Sequence, residues 1–262
     1  MRLTLISTTI LLVLTQAFTA QTTQLRVLAS NGMKAVIEEI RPRLEREAGR
    51  PLAIEFNTSV AIRQRIERGD AFDVAILTTE VIDELAKAGK IASGSIANLG
   101  RSGIGFGIRA GAAKPDVRTP EAVKRTLLNA KSLTWVTAGA SRVHIDRMNE
   151  ALGIGSDIKS KTVLTQTVDE SLALVAEGKT EMIVTLTSEI LPAKGVQYIG
   201  PLPEKFQNYV TFAAGVSPKS SAPAASALLI KVLGAPSAAP TYQAKGMELP
   251  IVTDVRPGTP VK

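Results

Sequence analysis

Between residues 25 and 88 the chain runs three times through one pattern: a short apolar or β-branched stretch, a polar turn, then an amphipathic helix. Leu25, Val27 and Leu28 form the first stretch. Ser30-Asn31-Gly32 ends it with good N-cap residues and a glycine suited to a tight turn, and Val36, Ile37, Ile40 and Leu44 then recur at helical spacing. Pro51 to Phe56 is the second strand, and Asn57-Thr58-Ser59 caps a helix over Val60 to Arg68. Phe72 to Leu77 is nearly all apolar, as a strand covered on both faces must be, and Thr78-Thr79 opens a helix over Glu80 to Ala88. Successive strand–helix units imply a parallel sheet with right-handed crossovers, so the fold class is α/β.

The second half repeats the pattern. Thr119-Pro120 starts a helix over Glu121 to Ala130, Ser132 to Thr137 is a strand, and Ala138-Gly139-Ala140-Ser141 leads into a helix over Arg142 to Leu152. A strand over Thr162 to Gln166, a helix over Asp169 to Glu177, and strands over Met182 to Thr187 and Val196 to Ile199 follow. Tyr209 to Val216 reads as a strand that re-enters the first domain, with a helix over Ala222 to Leu233 packing there. Between the halves lies LGRSGIGFGIR, Leu99 to Arg109, whose glycines alternate with apolar residues. Its GxGxG, on Gly103, Gly105 and Gly107, sits inside a strand pattern and opens no helix, so it is a weak nucleotide signal. Glycine in a strand more often marks a bend or a close backbone approach, as a crossing between domains needs.

At 262 residues and 45% hydrophobic content, the chain is long enough for two domains of roughly 100 residues each. Its net charge of +7 comes with only 4% aromatics and scattered basic residues, which argues against a nucleic-acid platform and is compatible with a small anionic ligand. The chain has no cysteine, which excludes disulfides and thiol chemistry, and its lone histidine, His144, argues against a metal site. Residues 1–20 carry Arg2, an apolar stretch from Leu3 to Leu14 and small residues at Ala17 to Ala20, the layout of a secretory signal cleaved there or as late as residue 23. The tail, residues 250–262, is rich in proline and glycine and is expected to be mobile. A monomer exported to the periplasm is the expectation.

Four turns share a place where a strand hands over to a helix: Ser30-Asn31, Thr58-Ser59, Ala140-Ser141 and Thr167-Val168. In open parallel sheets such turns lie at the carboxyl edge, where free N–H groups and helix dipoles favour an anion, and two facing domains bring both sets to one cleft. Each hydroxyl taken alone is better explained as the cap of its own helix. The repetition across both halves favours a shared anion site.

The signal segment, LRVLASNGMKAV, FNTSVAIRQRIERGDAFDVAIL, the glycine-rich crossing, GASRVHIDRMNEALGI, TVDESLALVAEGKTEMIV and SEILPAKGVQYIGPLP together resemble the periplasmic molybdate-binding proteins of ABC transporters. The resemblance spans about Leu25 to Leu249. It implies a two-lobed, type 2 periplasmic-binding-protein fold, each lobe a mostly parallel sheet flanked by helices. Lobe I takes residues 24–105 plus 213–249, lobe II takes 106–212, and the ligand cleft lies between them. Position by position it places oxyanion-binding residues on Ser30, Ser59, Ser141, Val168 and Thr185, with Asn31 and Thr58 beside them. The chain departs from that family in carrying Thr185 where a tyrosine is frequent and Arg142 where a glycine is usual. Arg142 offers a bidentate partner for a carboxylate, and His144 a proton carrier near neutral pH.

A branch of the same family resembles the aconitate isomerases, which interconvert cis- and trans-aconitate. On that resemblance His144 and Arg142 are the catalytic candidates, Lys34 is an added clamp or base, and no metal or cofactor is needed for a 1,3-proton shift. The alternative is a passive binding protein that delivers molybdate or another small anion to an ABC permease.

Overall fold

The computed structural model describes residues 24–249; the expected export signal and the tail from Pro250 lie outside the described residues. The first three units are β1 (Leu25–Ser30) with α1 (Lys34–Ala48), β2 (Leu52–Asn57) with α2 (Ser59–Arg68), and β3 (Val74–Thr78) with α3 (Thr79–Lys87). A 13-residue strand, β4 (Ala97–Arg109), follows. The second half contributes α4 (Pro120–Asn129), β5 (Leu133–Val136), α5 (Arg142–Ala151), α6 (Gly155–Lys159), β6 (Thr162–Thr165), α7 (Val168–Ala176), β7 (Met182–Leu186), α8 (Thr187–Ile190) and β8 (Val196–Pro201). The chain then returns through β9 (Tyr209–Val216), α9 (Pro223–Leu233), α10 (Ala239–Ala244) and the two-residue β10 (Met247–Glu248). The pattern of strand and helix matches the expectation. The short α6, α8 and α10 carry too few residues to show a helical period, and α8 falls where the sequence suggests only the end of a strand.

The strands run in the order β2-β1-β3-β9-β4-β7-β5-β6, with β8 and β10 also paired to β4. Pairing is parallel within β2-β1-β3 and within β7-β5-β6, and antiparallel where β9 and β4 join the two sets. β4 is shared: residues 97–103 pair with β9, while Ile104 onward pairs with β7. At the changeover the side-chain amide of Gln207 serves both backbone groups of Ile104, accepting from its N–H at 2.9 Å and donating to its carbonyl at 2.9 Å. The backbone is thereby satisfied where the ladder changes partner.

The glycines of β4 leave room for neighbouring side chains. A Cβ on Gly100 would stand 2.4 Å from the Tyr242 ring, and one on Gly105 would stand 2.5 Å from the Tyr198 ring. The expected close approach is therefore present, and it involves side chains packed on both parts of the strand.

One core lies under α1, α9 and α10 and continues beneath α4, α5 and α6. On the opposite faces, Leu28, Ile62, Ile66 and Ile82 pack under α2 and α3, while Val136, Val175, Ile183 and Ile190 pack under α7 and α8. This layering makes the region between the halves two-sided. The starts of α1 and α7 reach it on one side, and the starts of α3 and α5 on the other.

Candidate functional site: a cleft with two unlike sides

On the first side, a cavity of about 230 Å³ is lined by Asn31, Lys34 and Glu38 at the start of α1, Val168 and Asp169 at the start of α7, and Ser188 and Glu189 in α8. The turn after β1 comes this close to the second half because of Gly32. A Cβ there would lie 2.4 Å from Phe212 Cζ and 2.9 Å from Leu186 Cδ1. Gly32 has no positive φ, so close packing is what the position demands, where the sequence suggests a tight turn. Lys34 Nζ crosses the cavity to Asp169 at 3.2 Å and ties α1 to α7.

Glu189 had no place in the sequence-based candidate set, yet it lines this cavity. Its carboxylate accepts hydrogen bonds from the Thr185 hydroxyl and the Leu186 N–H. Burial pushes its pKa up to about 7; the two hydrogen bonds oppose that rise and the Asp169 charge adds to it. Beside it, the Ser188 hydroxyl is buried and has no hydrogen-bond partner, while the Ser188 N–H donates to Ser102 Oγ of β4 at 3.1 Å. The signal available in the sequence was an acidic residue three positions past the end of the apolar run MIVTL, the N3 position of a helix too short to recognise.

On the second side, Asn208 Nδ2 donates to His144 Nδ1 at 3.0 Å. Burial and then the nearby Arg147 hold the imidazole below its ordinary value, and Glu80 at the start of α3 opposes them. His144 is therefore mainly neutral at pH 7. Arg142 turns elsewhere: its Nε donates to both Asp146 oxygens at 2.9 and 2.8 Å, and it lines a separate groove of about 270 Å³ with Trp135, Asn149 and Lys159.

The hydroxyls at the four turns now separate into three kinds. Thr58 caps α2 by accepting from Ala61 N–H, and Thr167 caps α7 through a capping box with Glu170. Ser59 Oγ is buried and accepts from Thr78 N–H, which ties α2 to the end of β3. Ser30 and Ser141, each only 4% exposed, make no such cap. Of the predicted residues, Asn31, Lys34 and Val168 line the first cavity, and Thr185 reaches it through Glu189. Arg142 and His144 do not line it. Among the described residues there is no cluster of side chains suited to a metal ion, and no helix is long and apolar enough to cross a membrane.

Two α/β halves joined through crossing strands, with helix starts meeting at a small cavity of mixed polar and apolar lining, define a solute-binding architecture of the periplasmic type. The chain belongs to the family described as bacterial extracellular solute-binding proteins, whose model matches residues 25–248. It is 29% identical over 234 residues to an aconitate isomerase from a Pseudomonas species, covering 86% of this chain and 88% of that protein. In fold it is similar to the periplasmic molybdate-binding protein of Azotobacter vinelandii, with a TM-score of 0.72 at 15% identity over 87% of this chain and 100% of that one. It is also similar to a sulfate-binding protein of Mycobacterium tuberculosis H37Rv, with a TM-score of 0.65 at 17% identity and 86% of each chain covered.

Proposed function

We propose that this chain is an exported isomerase that interconverts cis- and trans-aconitate by a cofactor-free 1,3-proton shift in the cleft between its halves. The observation that carries the reading is the likeness to a curated aconitate isomerase along 86% of the chain. Geometry adds support. A cavity of about 230 Å³ is smaller than the ~300–1,000 Å³ usual for drug-sized ligands, which suits a small acid.

In this reading residues 24–105 with 213–249 and residues 106–212 act as two lobes that close on the ligand. Lys34 supplies a cation, and Asn31, the unpartnered Ser188 hydroxyl and the N–H groups at the start of α7 supply neutral donors. Ser30 and Ser141, whose side chains cap neither of the helices they precede, are further donors at the strand ends. Asp169 pairs with Lys34, so a substrate carboxylate must compete with it for the ammonium group. Arg142, engaged by Asp146, has no role in this set.

A second reading is favoured by the solved neighbours, which bind molybdate and sulfate: the chain is a passive anion-binding protein serving an ABC permease. The test is ultraviolet absorbance over time with mature, metal-free protein and cis-aconitate, with products resolved by chromatography. Conversion to trans-aconitate is the expected result. No conversion, together with a thermal shift on adding molybdate or sulfate, would replace the isomerase reading with the transport one.

A further inference from the structure

We propose that Glu189 is the acid–base residue that moves the proton in this cleft, and that Thr185 positions it. The inference rests on the isomerase reading and identifies the group that the reading requires. A 1,3-proton shift needs one group that takes a proton from the substrate methylene and returns it two carbons away. As that C–H bond breaks, its electron pair forms the new C=C bond to the central carbon, and the old double bond becomes an enolate stabilised by the carboxylate beside it. The carboxylic acid then protonates the formerly vinylic carbon, so the enzyme ends with the proton inventory it began with and nothing is oxidised or reduced.

Glu189 meets the geometric requirements. Its carboxyl lines the cavity, faces the cation of Lys34 and the starts of α1 and α7, and is held by two donors from the end of β7. The charged groups around it are Lys34 and Glu38 on α1 and Asp169 on α7. Partly buried and held by two donors, the carboxyl changes charge near neutrality, where a carboxylate basic enough to remove a carbon-bound proton still has a populated acid form to give it back. His144 lies on the other side of the cleft, clasped by Asn208, and lines no part of this cavity.

The competing explanation is structural. Glu189 stands at N3 of α8 and accepts from the N–H of Leu186, its N-cap, as one arm of a capping box does. A cap arm needs no hydroxyl from the preceding strand, and Glu189 has one from Thr185 besides lining the cavity. The substitution Glu189→Gln separates the two roles, because the amide carbonyl still accepts from Thr185 and Leu186 while the acid–base function is gone.

The experiment compares wild type with Glu189→Gln and Glu189→Asp for three properties: isomerisation of cis-aconitate, the thermal shift produced by trans-aconitate, and deuterium uptake into the substrate methylene in D2O, read by NMR. We expect wild type to turn over with a rate that rises with pH through neutrality to a plateau. Glu189→Gln should lose about 10²-fold or more in turnover, and its deuterium uptake as well, while retaining the thermal shift; Glu189→Asp should recover part of the rate. Near-wild-type turnover in Glu189→Gln would overturn the assignment and leave the isomerase reading standing. Loss of turnover together with loss of the thermal shift would also overturn it, since Glu189 would then serve binding or folding. A wild-type protein with no turnover at all would instead remove the isomerase reading on which the assignment rests.

Discussion

The two sides of the cleft each hold one partly buried titratable group, and burial drives them in opposite directions. On the side of α1, α7 and α8, desolvation raises an acid, Glu189, to about 7. On the side of α3 and α5, desolvation lowers a base, His144. Removing water always favours the neutral form, so a buried carboxyl becomes a stronger base while a buried imidazole becomes a weaker one. Histidine is the residue ordinarily sought for proton transfer at neutral pH, and here the surroundings give the better-placed carrier to a glutamate.

The largest expected effect comes from breaking what both sides share. Gly32→Val would drive a side chain into Phe212 and Leu186 at once, and we expect a loss of ~3 kcal/mol or more in a denaturant titration. Ligand binding on either side of the cleft should fall with it.

Next in size is the pH dependence of stability. The Glu189 carboxyl binds its proton more tightly in the folded protein, at about 7, than at the ordinary value of 4.5 expected in the unfolded chain. Between those values the folded state holds more protons, so stability falls as pH rises through that window. The full cost is present above 7 and absent below 4.5. Glu189→Gln should therefore be more stable than wild type at pH 8, by on the order of 2–3 kcal/mol, with the gain vanishing near pH 4. Thermal melts at the two pH values check this, and equal melting differences at both would contradict it.

A smaller change sharpens the comparison from within the first side. Asp169→Asn removes a charge that raises Glu189 and frees Lys34. The rising limb of the pH–rate profile should move to lower pH, and anion binding should tighten. Ser188→Ala deletes a hydroxyl with no partner inside the protein. Apo stability should stay within about 0.5 kcal/mol, while calorimetry should show aconitate binding weakened by about 1 kcal/mol.

The smallest expected effect lies on the other side. His144→Ala should leave turnover and its pH profile close to wild type, whereas a collapse in rate would transfer the proton-transfer role across the cleft.

The sequence carried the strand–helix order because period and caps are local. FDVAIL reads as a covered strand, and its last four residues lie in β3, while Thr119-Pro120 begins a helix as its cap residues suggest. The glycines of β4 were legible as a place of close approach, although the rings of Tyr198 and Tyr242 that fill the space lie about 93 and 142 residues downstream of them. At the candidate site legibility was partial. Asn31, Lys34 and Val168 line the cavity as their places at helix starts suggested. Arg142 looked like a clamp because it follows Ser141, but the carboxylate one helical turn on, Asp146, takes its guanidinium. Glu189 stayed out of view because its character comes from burial between α1, α7 and β7, elements far apart in the chain.

What the sequence by itself determined is the α/β alternation, the crossing strand between the halves, and membership of a solute-binding family, since each depends on local period or on motifs in order along the chain. Only the tertiary structure decided how burial shifts the titratable group on each side of the cleft, which hydroxyls are spent on caps, and what packs against Gly32. Those properties depend on which side chains lose their water and which meet across the halves, and desolvation is fixed only when distant segments pack together.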